Sequence, residues 1–406
     1  MAIEQICEKE KCFGCSLCHD LCPVGAISIE IIGGFYYPVV DKEKCVSCGK
    51  CQKLCPANNE EEIEKAKHET PDVAYAAWSK DDKRHFESAS GGIATELSKA
   101  FIEQGGFVVG VWFNPETNIV EHKICETSEE LEACAKSKYV QSSKTGIWTQ
   151  IKEKIKEKPC LFIGVPCEVF AFKTLMSTLE KTEIKPFYCV DILCRGGSSP
   201  YVLCEHIKTI SKKNRIKDIS FRGGKYDGFL TLYGEKHKVL YKSHAFYDPY
   251  YKCFEEHSIF RKNCFKCNFA GSERIGDITI GDFWGLDKNV LKTIKIKGRN
   301  LIFINNDSGN ILIDMVKDRI NLVKRPPTEA INGNFTLKTP TVKPQEYEFF
   351  WQNITESTKL QTTVRNVYGY SWRRKYYIYK IRNFLYKFSF VAIPIKKIIF
   401  YLKKKK

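Results

Sequence analysis

The chain has 406 residues, 43% hydrophobic and 28% charged, with a formal net charge of +16 and 19 cysteines. The length accommodates two or three domains with sizeable cores, and the composition excludes wholesale disorder and collagen-like or coiled-coil architectures. No apolar run approaches the ~18 residues of a spanning helix, and the N-terminus lacks the basic and apolar regions of a secretory signal.

Without export, and with an odd number of cysteines, metal ligation is expected rather than a disulfide framework. Both excesses are local. Nine cysteines lie within the first 55 residues, whereas residues 366–406 hold twelve Lys/Arg and no acid. The rest of the chain carries 52 basic against 48 acidic side chains. That near-neutral body does not read as a basic nucleic-acid-binding fold.

The head contains one pattern twice: Cys12, Cys15, Cys18, Cys22 before Pro23, and Cys45, Cys48, Cys51, Cys55 before Pro56. Both copies run C-x2-C-x2-C-x3-C-P, the bacterial two-cluster ferredoxin spacing in which the fourth cysteine of each copy ligates the other cluster. This assigns Cys12, Cys15, Cys18 and Cys55 to one 4Fe-4S cluster and Cys45, Cys48, Cys51 and Cys22 to the other. Zinc sites use pairs of cysteines and fit this spacing poorly. Cys7 lies outside the repeat and reads as a bystander. Between the copies, residues 26–31 alternate as a strand, and Gly33-Gly34 supplies a turn before residues 36–40. The result is an electron-transfer domain over 1–60, followed by a polar, acidic stretch from Asn58.

From 72 to 327 short apolar strands alternate with amphipathic helices, an α/β pattern divided into about 72–155 and 156–327. Strands are expected at 73–78, 107–112, 160–163 and 187–193, the last two apolar throughout like buried strands. Helices are expected after Ser90, with Ile93, Leu97 and Phe101 on one face, and at about 168–180 and 199–212. No G-x-G-x-x-G opens a helix, so a nicotinamide-binding Rossmann domain is unsupported. Cys167 and Cys194 follow strands, where α/β folds gather ligands, and Cys264 and Cys267 form a C-x2-C pair. Together the four read as a third 4Fe-4S site. Taken alone, the pair fits a zinc knuckle equally well, and Cys167 or Cys194 fits a buried core thiol. The remaining cysteines (7, 125, 134, 160, 189, 204 and 253) read as packing.

Seven motifs follow in order: Ser88-Ala-Ser-Gly-Gly92, Ser137-Lys-Tyr-Val-Gln-Ser142, Gly164-Val-Pro-Cys-Glu168, Cys194-Arg-Gly-Gly-Ser-Ser-Pro200, Phe221-Arg-Gly-Gly-Lys225, Cys264-Phe-Lys-Cys267 and Gly276-Asp-Ile-Thr-Ile-Gly-Asp-Phe-Trp-Gly285. In these the chain resembles the FrhB/FdhB family, the beta subunits of coenzyme F-420-reducing hydrogenases and dehydrogenases. The resemblance implies FAD and a 4Fe-4S cluster in the body. Ser88, Ser90, Gly91 and Gly92 precede a helix and could hold a pyrophosphate on free amides and hydroxyls, or simply cap the helix. Lys138 could pair with a phosphate, and Arg222 and Lys225 could touch flavin or substrate; solvated surface charge is the plain alternative for all three. Asp277 and Asp282 bracket a strand and either order the cluster loop or cap its turns. Arg195 stands where histidine is common in the family, which puts the contact there in doubt. No acid–base dyad stands out.

The expected fold is thus α+β/α/β: a dicluster ferredoxin domain, an FrhB/FdhB-like α/β flavin domain, a linker over 328–365 and a basic aromatic tail over 366–406. The expected function is a flavin- and iron–sulfur-dependent oxidoreductase. Electrons from a ferredoxin or redox enzyme subunit would pass through the clusters to FAD and a two-electron acceptor. That acceptor is a deazaflavin or an unnamed metabolite, and a polysaccharide pathway is one setting. Alternatives are a non-catalytic electron-transfer subunit docking onto another enzyme and an iron–sulfur sensor or scaffold. The tail interleaves Lys/Arg with Tyr, Trp and Phe, the mix of an interfacial segment on anionic membrane. Packing on the protein's own body and nucleic-acid binding are its other readings. The expected location is cytoplasmic, or peripheral at the inner face of the membrane.

Overall fold

The computed structural model describes residues 3–211, 214–293, 298–354 and 359–369. In the head, strands β1 (Ile27–Ile32) and β2 (Phe35–Val40) pair antiparallel, Ile27 opposite Val40 and Ile32 opposite Phe35. Gly33 and Gly34 both have positive φ, 57° and 87°, as a two-residue hairpin turn matched to the strand twist requires. Each cysteine repeat curls through two left-handed residues at equivalent positions, Gly14 and Ser16 in the first copy, Ser47 and Gly49 in the second. These curls let three cysteines spaced by two residues turn inward before the helical turns Leu17–Asp20 and Lys50–Lys53.

The body strands are β3 (Ala74–Ser79), β4 (Phe107–Asn114), β5 (Ile119–Cys125), β6 (Cys160–Gly164), β7 (Phe187–Ile192), β8 (Asp218–Ser220), β9 (Phe229–Tyr233), β10 (Val239–His244), β11 (Ile278–Asp282), β12 (Asn300–Ile304) and β13 (Ile320–Arg325). Eight form one mixed sheet in the order β13-β3-β12-β11-β7-β6-β4-β5. Strands β3, β11, β7, β6 and β4 run one way, and β5, β12 and β13 run against them. Every residue of β6 is buried. Phe162 faces a core with Trp148 and Phe172, while Leu161 faces a core with Leu97 and Leu312. Helices therefore cover both faces, which is why this strand is apolar throughout rather than alternating.

A smaller sheet, β10-β9-β8, shares a separate core with helices Pro200–Ser211 and Pro249–Glu255. Residues 328–365, expected as a linker, contribute to the packing instead. They hold helices Pro327–Gly333 and Tyr347–Asn353, and Phe350 and Val364 are fully buried in the second core. The physical reason is the run Phe349-Phe350-Trp351, which places Phe350 inward and Trp351 against Phe35 of the head, ring centroids 5.4 Å apart. At the start of the expected tail, Tyr368 contacts the Ser258 hydroxyl and lies under the Lys252 ammonium, 5.1 Å from its ring centre. The remainder, 370–406, lies outside the described residues, and with it the expected membrane and nucleic-acid contacts. Among the described residues no helix is long and apolar enough to cross a membrane.

Candidate functional site

The parallel strands deliver Cys167, Cys194, Asp282 and the Ser88–Gly92 loop to one edge of the large sheet, the carboxyl edge where open α/β folds bind ligands. Strand β6 ends just before Cys167, β7 just before Cys194, β11 at Asp282, and β3 feeds the Ser88–Gly92 loop. Cys264 and Cys267 close in from a short 3-10 turn, Lys262–Lys266, and its end.

These four thiols lie within electrostatic reach of one another. Burial raises Cys167 well above its ordinary value, and Glu168, Cys194, Cys267 and Cys264 push it further. Burial, then Cys264 and Cys267, raises Cys194; burial raises Cys264 to about 11. The Gly197 N–H donates to Cys264 Sγ at 3.2 Å. None of the cysteines forms a disulfide. Among the described residues no group of three ligands is already drawn into metal-coordination geometry. What fits a cluster is the chemistry of the donor set: four desolvated thiols, costly to ionise alone, whose thiolates a bound iron–sulfur cluster would stabilise.

The head repeats this arrangement. Cys12, Cys15, Cys18 and Cys55 line one pocket with Phe13, Ile29 and Tyr36. Burial raises Cys15 to about 12, and Cys55 and Cys12 add to it. Cys7, expected as a bystander, lines the same pocket beside Cys12 and Cys55. Its thiol is the first cause holding Cys12 at about 6, with help from Arg261. Cys55 of the second repeat thus lies beside the first triplet. On the other side, Cys51 lies within reach of Cys48 and of Cys22 from the first repeat. Cys45 sits at the surface, lowered by the N–H groups of Ile3 and Ser47.

The two head sites are not equivalent. The first faces the body: Arg261 Nε donates to Cys12 O at 2.6 Å, Gln141 Nε2 to Phe13 O at 3.0 Å and Trp148 Nε1 to Cys15 O at 2.8 Å. Ser199 Oγ donates to Gly34 O at 2.7 Å, and the Asp20 carboxylate accepts from the Gly146 and Thr149 amides. The second faces outward, with Cys48 exposed and Val46 61% exposed.

A buried polar group beside the third site has no counterpart among the residues singled out from the sequence. Lys144 Nζ lies 2.8 Å from Glu168 Oε1 and donates to Ser142 O at 2.8 Å, and His122 Nε2 lies 3.6 Å from Glu168 Oε2. Burial pushes the Glu168 carboxyl up, but Lys144 and then His122 outweigh it and hold the group well below the usual carboxylate range. Glu168 also accepts from Val165 N at 3.1 Å, fixing the start of the helix that carries Cys167. The adjacency of Glu168 to Cys167 was the available sequence signal; Lys144 and His122 come from distant segments.

The expected flavin contacts converge in part. Gly223 (φ 100°) packs so tightly that a Cβ there would meet Glu87 O at 2.5 Å and Ser88 O at 2.9 Å, so the turn carrying Arg222 and Lys225 abuts the Ser88–Gly92 loop. Arg222 pairs with Asp282 at 2.5 Å. Gly92 (φ 86°) opens helix Ile93–Glu103, and Asn300 Oδ1 accepts from Ile93 N at 3.3 Å. Ser88 Oγ donates to Arg84 O and Ser90 Oγ to Arg299 O, so both hydroxyls have partners within the chain. Lys138 does not join this group: its Nζ donates to the carbonyls of Ala133, Ala135 and Lys136. Asp277 is at the far end of β11, accepting from Cys189 N at 2.7 Å and Asn306 Nδ2 at 2.8 Å. Arg195 binds Glu255 at 3.2 Å and His257 at 2.9 Å.

Three family models match the chain: a 4Fe-4S dicluster domain over 11–59, and the N-terminal and C-terminal parts of the coenzyme F420 hydrogenase/dehydrogenase beta subunit over 74–146 and 158–330. A subunit of the F(420)H(2) dehydrogenase of Methanosarcina mazei is 23% identical over 344 residues, covering 80% of this chain and 87% of its own. A chain in the F420-reducing [NiFe] hydrogenase complex from Methanosarcina barkeri superposes with a TM-score of 0.47 at 17% identity, over 74% of this chain and 92% of that one. Two family halves in sequence order, together spanning more than half of the residues behind a dicluster domain, establish that this chain belongs to the family of coenzyme F420 hydrogenase/dehydrogenase beta subunits.

Proposed function

We propose that this chain is an iron–sulfur flavoprotein oxidoreductase exchanging electrons between an external redox protein and a two-electron acceptor. The carrying observation is the convergence of Cys167, Cys194, Cys264 and Cys267 at the carboxyl edge of the sheet, on the side where the head docks. Clusters bound at the twelve assigned cysteines would supply single-electron transfer, and FAD would supply exchange with a two-electron partner.

The residues of the chain hold and shield these groups. The Gly197 amide supports Cys264, and the buried Lys144–Glu168 pair fixes the helix start that bears Cys167. Ser88, Ser90, Gly91, Gly92, Arg222 and Lys225 form the adjoining loops proposed for FAD, while Lys138 stays with its own carbonyls. The name of the M. mazei relative makes an F420-type deazaflavin the first acceptor to try. That relative is itself one subunit of a dehydrogenase, which favours a second reading: an electron-transfer subunit docking onto another redox enzyme.

Anaerobic purification with iron, sulfide and flavin analysis separates the two. The proposal expects about twelve irons and one FAD per chain, and about four fewer irons after Cys264→Ala with Cys267→Ala. Eight irons without flavin would sink it and leave the relay subunit.

A further inference from the structure

We infer that Arg261 is a fixed electrostatic link between head and body: a buried cation that seats the Cys12 loop against the Cys264 turn and raises the reduction potential of the clusters on both sides. This rests on the iron–sulfur reading of both cysteine sets. The side chain is 2% exposed. Besides Cys12 O, its guanidinium donates to Tyr36 O at 2.9 Å and reaches Gln141 Oε1 at 3.4 Å. It lies over the Tyr37 ring, 4.0 Å from the centre. Its backbone belongs to the third site: Arg261 N donates to Gly197 O, and Arg261 O accepts from Cys264 N, each at 2.9 Å.

Its hydrogen-bond acceptors are neutral carbonyl oxygens. Among the described residues no carboxylate pairs with it, and Nη2 has no hydrogen-bond partner. A buried cation whose hydrogen bonds all go to neutral carbonyls is costly to keep. A cubane held by four thiolates is net negative and gains one further negative charge on reduction. The nearby cation is therefore compensated by the cluster and favours the reduced form. The head is shaped around this group. A Cβ at Gly14 (φ 65°) would come within 2.5 Å of Gln141 Nε2 and 2.9 Å of Arg261 Nη1, whereas the equivalent position of the outward-facing repeat is the exposed Ser47.

The experiment is a mediated titration of the full chain against dithionite, followed by electron paramagnetic resonance, with iron counted in every sample. Arg261→Gln should lower the midpoint of the head cluster at Cys12 and of the third cluster. The expected effect is a roughly tenfold smaller ratio of reduced to oxidised cluster at the parent midpoint, about 59 mV for one electron. Arg261→Lys keeps the charge and should stay within about threefold. Gln141→Glu sets a carboxylate beside the intact guanidinium and should also lower the midpoint, which decides the matter if Arg261→Gln fails to load iron. Unchanged midpoints in an iron-loaded Arg261→Gln or in Gln141→Glu, or equal shifts in the Lys and Gln variants, would overturn the inference. A parent with only eight irons refutes the third-cluster reading instead, and the head-cluster midpoint still judges Arg261.

Discussion

Glu168→Ala tests whether the buried pair beside Cys167 is a structural necessity. The substitution leaves Lys144, whose side chain is 1% exposed, with Ser142 O at 2.8 Å and Ser142 Oγ at 3.3 Å but no anion. It also removes the acceptor of Val165 N. Breaking one partner of a buried pair costs about 3–5 kcal/mol, because the surviving charge can neither reach water nor find a counterion. For a domain of this size that is a fall in melting temperature on the order of 10 °C. The double variant Glu168→Leu with Lys144→Met removes both charges at similar volume and should regain most of the loss. The assay is anaerobic thermal unfolding by circular dichroism with matched iron content. A single variant within about 1 kcal/mol of the parent, or a double variant no better than the single, would refute the reasoning.

Two further outcomes are expected. Gly223→Ala forces a Cβ to within 2.5 Å of Glu87 O at a φ of 100°, so it should separate the Arg222 turn from the Ser88 loop. The protein should then be isolated with much less flavin and unchanged iron, and full flavin occupancy would count against that loop pair as the flavin site. His257 is lowered from 6.5 to about 4 by burial and then by Arg195. The unfolded chain therefore binds the extra proton between about pH 6.5 and 4, and acidification through that window should cost on the order of 1 kcal/mol once solvent screening of this partly exposed ring is allowed for. His257→Asn, which suits the positive φ there, should flatten that slope in denaturant titrations at stepped pH; an identical slope would remove His257 from the account.

The cysteine repeats and the apolar strands were legible because both are local patterns. Spacing alone pairs Cys55 with the first triplet, and continuous apolar character alone marks residues 160–163 as buried on both faces. Cys167 and Cys194 could be singled out because strand ends are where such sheets gather ligands. The features that were missed depend on distant segments meeting. Arg261 sits in Arg-Lys-Asn-Cys-Phe-Lys-Cys, which looks like basic surface until the head covers it. Lys144 and His122 acquire meaning only beside Glu168, and the proline-flanked stretch before Phe350 hid a core helix. Cys7 lies outside the repeat in sequence yet inside its pocket in space.

The contacts from Arg261, Gln141, Trp148 and Ser199 all end on main-chain carbonyls of the head: Cys12, Phe13, Cys15, Gly34 and Tyr36. The body thus grips the path of the head's backbone more than the identity of its side chains. Any dicluster module that traces the same path would offer these acceptors. The outward surface of the head is then free to diverge, so one body can be paired with different head surfaces without rebuilding the joint between them.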